Sequence, residues 1–344
     1  MKKRQATAVL ITDTHLKPNN IELNKSVYQQ ACEIAQRYDV EYLFHAGDIF
    51  ESRKSQTQEL LCAFRDILVN VCLNYELKLV AIPGNHDKYN YSSLDSYLDP
   101  FMYWPNFLLY REPGFLTIGN TRYHFVPFIL EGTLYNDLLF KAIDNISSDH
   151  KNVLITHIAV DGAVNNDGSQ VSNGISKDDL NQFDRVLVGH YHNKHDLSSK
   201  IHYFGSTMPH NFGEDGDKGI VVLYNDGTFE YETCNFPQYL NVTINLEDTD
   251  ESEVKHIMDK YNNSDDYVKF HFVGSRHKFA KVDTSSLKDN GFKIAYDEEI
   301  IPEEEARQQM VAFDASKIKA EFAEFCKLYD VEFDDLLKNL LKQL

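Results

Sequence analysis

Short apolar runs punctuate the chain to about residue 190. Ala8-Val9-Leu10-Ile11, Lys78-Leu79-Val80-Ala81-Ile82, Asn152-Val153-Leu154-Ile155 and Arg185-Val186-Leu187-Val188 read as buried strands, and Tyr42-Leu43-Phe44 as a weaker one. Between Tyr42-Leu43-Phe44 and the run at 78–82, Leu60, Leu61, Phe64, Ile67, Leu68 and Val71 recur at helical spacing, a stripe that core packing accounts for. Strands alternating with helical patterns predict an α/β fold. Beyond His192 the pattern turns to short strands over 200–205, 218–224 and 228–233, with Asn225-Asp226-Gly227 as a hairpin turn. These predict a mixed sheet stacked against the first.

Phe236-Pro237-Gln238 reads as a boundary. Past it come a strand (239–246), a helix (251–262), a strand (267–273), then a helix and a strand (292–296), which is a compact α+β unit. The acidic stretch Asp297-Glu298-Glu299, followed by Pro302 and the three glutamates of 303–305, marks a linker and a helix start. Two amphipathic stripes close the chain: Ile318, Phe322, Phe325 and Tyr329, then Phe333, Leu336, Leu337, Leu340, Leu341 and Leu344 behind Asp330 as N-cap. Such helices fold back on their own domain or offer an apolar face to another protein. The expected division is 1–238, 239–298 and 299–344.

At 344 residues the chain exceeds the size at which single cores divide, and 42% hydrophobic content is ordinary for a globular protein. No run of about 18 apolar residues exists to span a membrane. The apolar stretch after Met1-Lys2-Lys3-Arg4 is too short for a signal peptide. Five cysteines without a C-x-x-C pair suit reduced thiols of a cytoplasmic protein. A net charge of −19 argues against a DNA-binding surface of the chain's own. Arg53 with Lys54, Lys194 with Lys200, and Arg276 with Lys278 and Lys281 are basic groups that could offset it locally, or ordinary solvated side chains.

Five polar pieces sit at the ends of the five apolar runs: Asp13-Thr14-His15, Gly47-Asp48, Gly84-Asn85-His86-Asp87, Thr156-His157 and Gly189-His190-Tyr191-His192. Any one piece alone is weak, since a histidine after an apolar run is often a satisfied core residue. Side chains at the C-terminal ends of neighbouring strands converge, however, and five in order point to one site. Their chemistry suits two divalent ions about 3.5–4 Å apart, which can clamp the attacking and leaving oxygens at phosphorus. Asp48, the lone acid of its piece, is the expected bridge. Asp13, His15 and His192 complete one ion; Asn85, His157 and His190 complete the other. Mixed imidazole and carboxylate ligands favour manganese, iron or zinc over magnesium, with manganese the first choice. His86 and Asp87 remain as catalytic candidates, His86 as general acid or phosphate contact. With about four positive charges, the ions would also answer the acidic balance of the chain.

These pieces resemble the motifs of calcineurin-like metallophosphoesterases. Tyr203-Phe204-Gly205-Ser206 followed by Phe212-Gly213-Glu214 is similar to a segment of SbcD-type DNA repair nucleases, as is Gly47-Asp48-Ile49-Phe50. The likeness covers about residues 5–235 and extends in particular to the short phage-encoded recombination endonuclease subunits. It implies a four-layer α/β/β/α sandwich with a small DNA-gripping capping domain and C-terminal helices. It also implies a DNA exonuclease or endonuclease, a homodimer within a heterotetramer, and a coiled-coil ABC-type ATPase partner that the last helices bind. Two residues depart from the pattern: Glu51 stands where relatives often carry His, and Thr207 where they often carry Pro. Rival expectations are a phosphomonoesterase or nucleotide phosphatase on the same core, and a non-catalytic scaffold.

Overall fold

In the computed structural model the described residues are 4–298, apart from Glu131, Asp167, Asp215, Asp217, Ser286 and 288–290. The linker and the C-terminal helices expected over 299–344 lie outside them.

The apolar runs are continuous because the strands they form are buried on both faces. Strands β1 (Ala6–Ile11), β2 (Tyr42–His45), β3 (Lys78–Ala81) and β4 (Phe107–Leu109) run parallel in one sheet. Its register pairs Leu10 with Phe44 and Phe44 with Val80. The second sheet holds β5 (Gly114–Ile118), β6 (Thr121–Val126), β7 (Lys151–His157), β8 (Arg185–Gly189), β9 (His195–Asp196) and β10 (Ile201–Tyr203), in the order β5-β6-β7-β8-β10-β9. β11 (Ile220–Tyr224) and β12 (Phe229–Glu232) do not join it. β11 instead pairs antiparallel with β1, so the first sheet has the order β12-β11-β1-β2-β3-β4. The strands after His192 therefore divide between two six-stranded sheets instead of building one of their own.

Alternation along each strand sorts the apolar side chains into three cores. Ala8, Leu10, Phe44, Val80 and Ile82 face Tyr123, Phe125, Val153, Ile155 and Leu187 between the sheets. Val9, Ile11, Leu43 and Leu79 point outward against α1 (Ile21–Tyr38) and α2 (Gln58–Leu68) through Val27, Ala31, Phe64 and Ile67. Val126, Leu154, Val186 and Val188 do the same against Tyr135, Leu138 and Leu139 of α3 (Thr133–Ile143). The short α4 (Lys177–Leu180) adds Leu180 to that layer. Helix, sheet, sheet, helix is the four-layer α/β/β/α sandwich expected. Each fully buried large aliphatic or aromatic side chain in these layers contributes about 1.5–3 kcal/mol.

A second compact unit begins at Asn241, while Asp265–Tyr267 belong with the first. It carries β13 (Tyr239–Asn245), α5 (Glu251–Asp259), β14 (Tyr267–Gly274), α6 (Arg276–Phe279) and β15 (Lys293–Glu298). The sheet order is β13-β14-β15, with β14 and β15 parallel. Ile244, Val254, Met258, Val268, Phe270 and Phe272 form its separate core. Among the described residues, no helix is long and apolar enough to cross a membrane.

Candidate metal centre

The loops after β1, β2 and β3 are laced together before any ligand is considered. Backbone amides of Asp13, His15 and Leu16 donate to the carbonyls of Gly47, Asp48 and Ile49 at 3.0, 3.1 and 2.7 Å. The Asp87 carboxylate accepts from the amides of Ile49, Phe50 and Gly84 at 3.2, 2.9 and 2.9 Å. Asp87 was expected among the reacting groups. It is fully buried, and its carboxylate is engaged in this lacing. Burial and the nearby Asp48 push its carboxyl up to about 6, against the three amides that stabilise the charge.

The loops are tight. Asp13, His15, Asp48 and His190 all have positive φ, at 49°, 45°, 58° and 92°, conformations that non-glycine residues seldom adopt and that cluster at functional sites. Gly84 has no side chain because a Cβ there would lie 2.2 Å from Asp48 Oδ1. At Gly47, with φ +100°, a Cβ would lie 2.6 Å from His157 Nδ1.

These loops bring all seven expected ligands together. His15 Nε2 lies 3.1 Å from His192 Nε2 and 3.8 Å from Asp13 Oδ1, which is 3.9 Å from His192 Nε2. On the other side Asn85 Oδ1 is 3.1 Å from His157 Nε2 and 2.9 Å from His190 Nδ1. Asp48 Oδ2 stands between the two sets, 3.8 Å from His15 Nε2 and 3.2 Å from His157 Nε2. Asp13, His15, Asp48 and His157 are at most 2% exposed.

The remaining atoms of these side chains are already committed, which aims lone pairs at the centre. His157 Nδ1 donates to the Ala46 carbonyl at 2.8 Å. Asp13 Oδ2 accepts from Thr12 Oγ1 at 2.6 Å, whereas its buried Oδ1 has no hydrogen-bond partner. The Asn85 carbonyl faces Asp48 and two imidazoles with no proton of its own; turned over, its NH2 group would fill that gap. Acceptors converging in this way fit divalent cations. Burial alone would lower the pKa of His157, yet the charges of Asp48 and Asp13 and the Asp48 hydrogen bond lift it to about 9. A metal bound through Nε2 would have to compete with a proton there.

His86 also lies within reach of His15 and Asp48. Both its ring nitrogens are engaged elsewhere: Nδ1 donates to the Glu51 carbonyl at 2.6 Å, and Nε2 accepts from Arg53 at 2.6 Å. Those two partners, and not the seven expected ligands, hold the ring. His86 lines an open cavity of about 400 Å³ together with Lys17, Arg53, Asn166, His192 and His210. Arg53 is thus the one member of the expected basic groups that reaches the cavity. Lys200 donates to backbone carbonyls at Asn181 and Phe183, Lys194 lies over the Tyr231 ring, and Lys278 pairs with Glu247 in the second unit.

Residues 6–194 match the family model described as calcineurin-like phosphoesterase. The chain belongs to that family. The phosphoesterase is 28% identical over 225 residues to the provisionally named phosphoesterase 244L of Invertebrate iridescent virus 6, covering 63% of this chain and 76% of the relative. It is 22% identical to the provisionally named phosphoesterase 078R of Invertebrate iridescent virus 3, over 89% of this chain and 88% of the viral one. It is also 26% identical to SbcD of the nuclease SbcCD from Staphylococcus saprophyticus, over 49% of this chain and half of that protein.

In this phosphoesterase the segment from Tyr203 to Glu214 closes over the centre. Tyr203 Oη donates to the Ile158 carbonyl at 2.8 Å and accepts from the Val160 amide at 3.0 Å, fixing the chain beyond His157. Thr207 makes two bonds: its amide donates to the Thr12 carbonyl, and its hydroxyl accepts from the Thr12 amide at 2.8 Å. Proline could make neither. Glu214 accepts from His192 Nδ1 at 2.8 Å, leaving Nε2 for an ion, and pairs with Lys218 at 3.2 Å. Burial raises the Glu214 carboxyl, but His192 and Lys218 outweigh it and hold it at about 2. The Glu51 carboxylate lies 2.9 Å from His15 Nδ1, at ion-pair distance. Sequence reading missed His210, whose Nε2 donates to the Asp13 carbonyl at 2.6 Å and whose ring packs 4.8 Å from that of His15.

Carboxylates that orient ligating imidazoles are worth about 10–100-fold in metal affinity. Glu214→Gln should therefore weaken the ion held through His192 by that factor and spare the other, as metal titration of the purified variant will show. The sign for stability follows from the lowered carboxyl. The wild-type contribution is present above the unfolded value of 4.5 and is lost as pH falls toward 2. The ion-free variant should accordingly lose less stability than wild type over that window.

Proposed function

We propose that this phosphoesterase is a DNA nuclease that hydrolyses phosphodiester bonds with two divalent ions, manganese first among them. The observation that carries this reading is the Tyr203–Glu214 segment: its Glu214 bonds His192, and it is one of the stretches of the chain that resemble the SbcD-type nucleases. The similarity to SbcD of the staphylococcal nuclease SbcCD supports it. In this reading Asp13, His15 and His192 hold one ion, Asn85, His157 and His190 the other, and Asp48 both. When bound, the ions supply Lewis-acid charge at phosphorus and an activated water. The chain's residues orient the ligands, and His86 is assigned to the substrate.

The deciding assay is the purified chain with manganese, on linear duplex DNA, single-stranded DNA and p-nitrophenyl phosphate. Cleavage of DNA well above the monoester rate is expected. The reverse ranking makes the protein a phosphomonoesterase or nucleotide phosphatase, and two bound ions with no turnover makes it a scaffold.

We further assign 239–298 to gripping DNA and 299–344 to an ABC-type ATPase partner in a cytoplasmic complex of two copies of each chain. Support for the partner is the pair of apolar stripes and the charge of −19, which leaves DNA affinity to be supplied elsewhere. Truncation after Asp314 should abolish co-purification with that ATPase while sparing cleavage of short DNA. Loss of bound metal in the truncated chain would instead assign those helices to its own core.

A further inference from the structure

Arg53 reaches from the cavity into a group of tyrosines contributed by one loop. Its Nη2 lies 2.6 Å from His86 Nε2, and its guanidinium carbon lies 5.9 Å from the centre of the Tyr91 ring. Its carbonyl accepts from Tyr97 Oη at 3.0 Å, and the Tyr89 phenol is close enough to Tyr97 to act on it electrostatically. The loop is fixed at several points. The Tyr97 amide donates to the Asp87 carbonyl at 2.9 Å, Lys88 Nζ to the Ser93 carbonyl at 2.9 Å, and the Leu130 amide to the Tyr91 carbonyl at 2.9 Å. The Tyr91 ring is propped edge-on against Phe128 at 5.3 Å, while Tyr89 is 78% exposed.

Resting on the nuclease reading above, we infer that Arg53, Tyr89 and Tyr91 form a subsite for one unpaired nucleotide beside the scissile phosphate. The guanidinium takes a phosphate oxygen and the tyrosine rings take the base. A guanidinium has five N–H donors, and the His86 contact engages one, so the planar fork can still meet an anion from the cavity side. A base offers a π-face whatever its identity, so a tyrosine ledge grips a strand without reading its sequence. Stacking also supplies affinity that does not depend on net charge, which suits a chain at −19. The base must be unpaired to present its face, and the substrate is therefore a single strand or a frayed end.

The test uses the manganese-loaded full chain and two short single-stranded oligonucleotides, one intact and one abasic at the residues flanking the cut. Tyr91→Ala and Tyr89→Ala should each raise KM for the intact strand about tenfold. On the abasic strand the rise should shrink several-fold, and Tyr91→Phe should restore the wild-type KM because stacking needs the ring and not the hydroxyl. Arg53→Ala should lower kcat/KM on both strands, since both keep the phosphate. Tyr89 is exposed, so its variant remains informative if Tyr91→Ala fails to fold. Equal KM rises on the two strands, no rise with either alanine variant, or an unaffected Arg53→Ala would overturn the subsite. A wild-type protein that leaves both strands uncut defeats the nuclease reading itself.

Discussion

Asp48→Ala should leave the purified protein without either ion, whereas His192→Ala should lose mainly one. The geometry sets this asymmetry. Asp48 Oδ2 faces His15 Nε2 on one side and His157 Nε2 on the other, so its removal takes a negative ligand from both groups at once. His192 meets only His15 and Asp13 among the ligands. The Asp48 carboxylate is also, with Asp13, one of the two charges that raise His157, so the variant's His157 holds a cation less well. Metal quantification on folded Asp48→Ala and His192→Ala is the measurement. Two ions per chain in Asp48→Ala would remove Asp48 from its bridging role.

His86→Ala should keep both ions, stay folded, and lose about 10²–10⁴-fold in rate, the range for a group that acts on the reacting substrate. The ions should stay because both ring nitrogens already have partners, the Glu51 carbonyl and Arg53, and none of the seven proposed ligands is removed. The contact that steadies Asp48 comes from the His86 backbone amide at 2.7 Å, which alanine retains. Without the imidazole, Arg53 loses its anchor at the cavity wall. Metal content and turnover measured on the same preparation separate the roles, and metal lost in step with activity would make His86 a ligand.

How far the sequence can be read depends on whether neighbours in space are neighbours in the chain. β1, β3, β7 and β8 stand out because both faces of each are buried, which leaves an uninterrupted apolar run. β5 stays hidden because its residues alternate between half-buried and exposed. The partner of β11 is set by a pairing of Val222 with Val9 across the whole domain, and no local pattern encodes it. The same holds for the centre. Its ligands follow strand ends and announce themselves, whereas His210 reaches the Asp13 carbonyl from 197 positions away. Glu214 is visible within a recognisable segment, yet its task appears only when His192 is beside it. Asp87 adjoins His86 in sequence, but its three bonds to the amides of Ile49, Phe50 and Gly84 are not legible there.

The ligands come from two sheets. Asp13, His15, Asp48 and Asn85 follow strands of the first, and His157, His190 and His192 end or follow strands of the second. What sets the span between these halves is the layer of side chains packed between the sheets, where Phe44 meets Phe125 edge-on at 5.1 Å and Tyr123 at 5.2 Å. The distance between the two sets of proposed ligands is therefore a property of hydrophobic packing as much as of the coordinating atoms. Repacking Phe44, Tyr123 and Phe125 offers a route to changing that distance in which every ligand residue is retained.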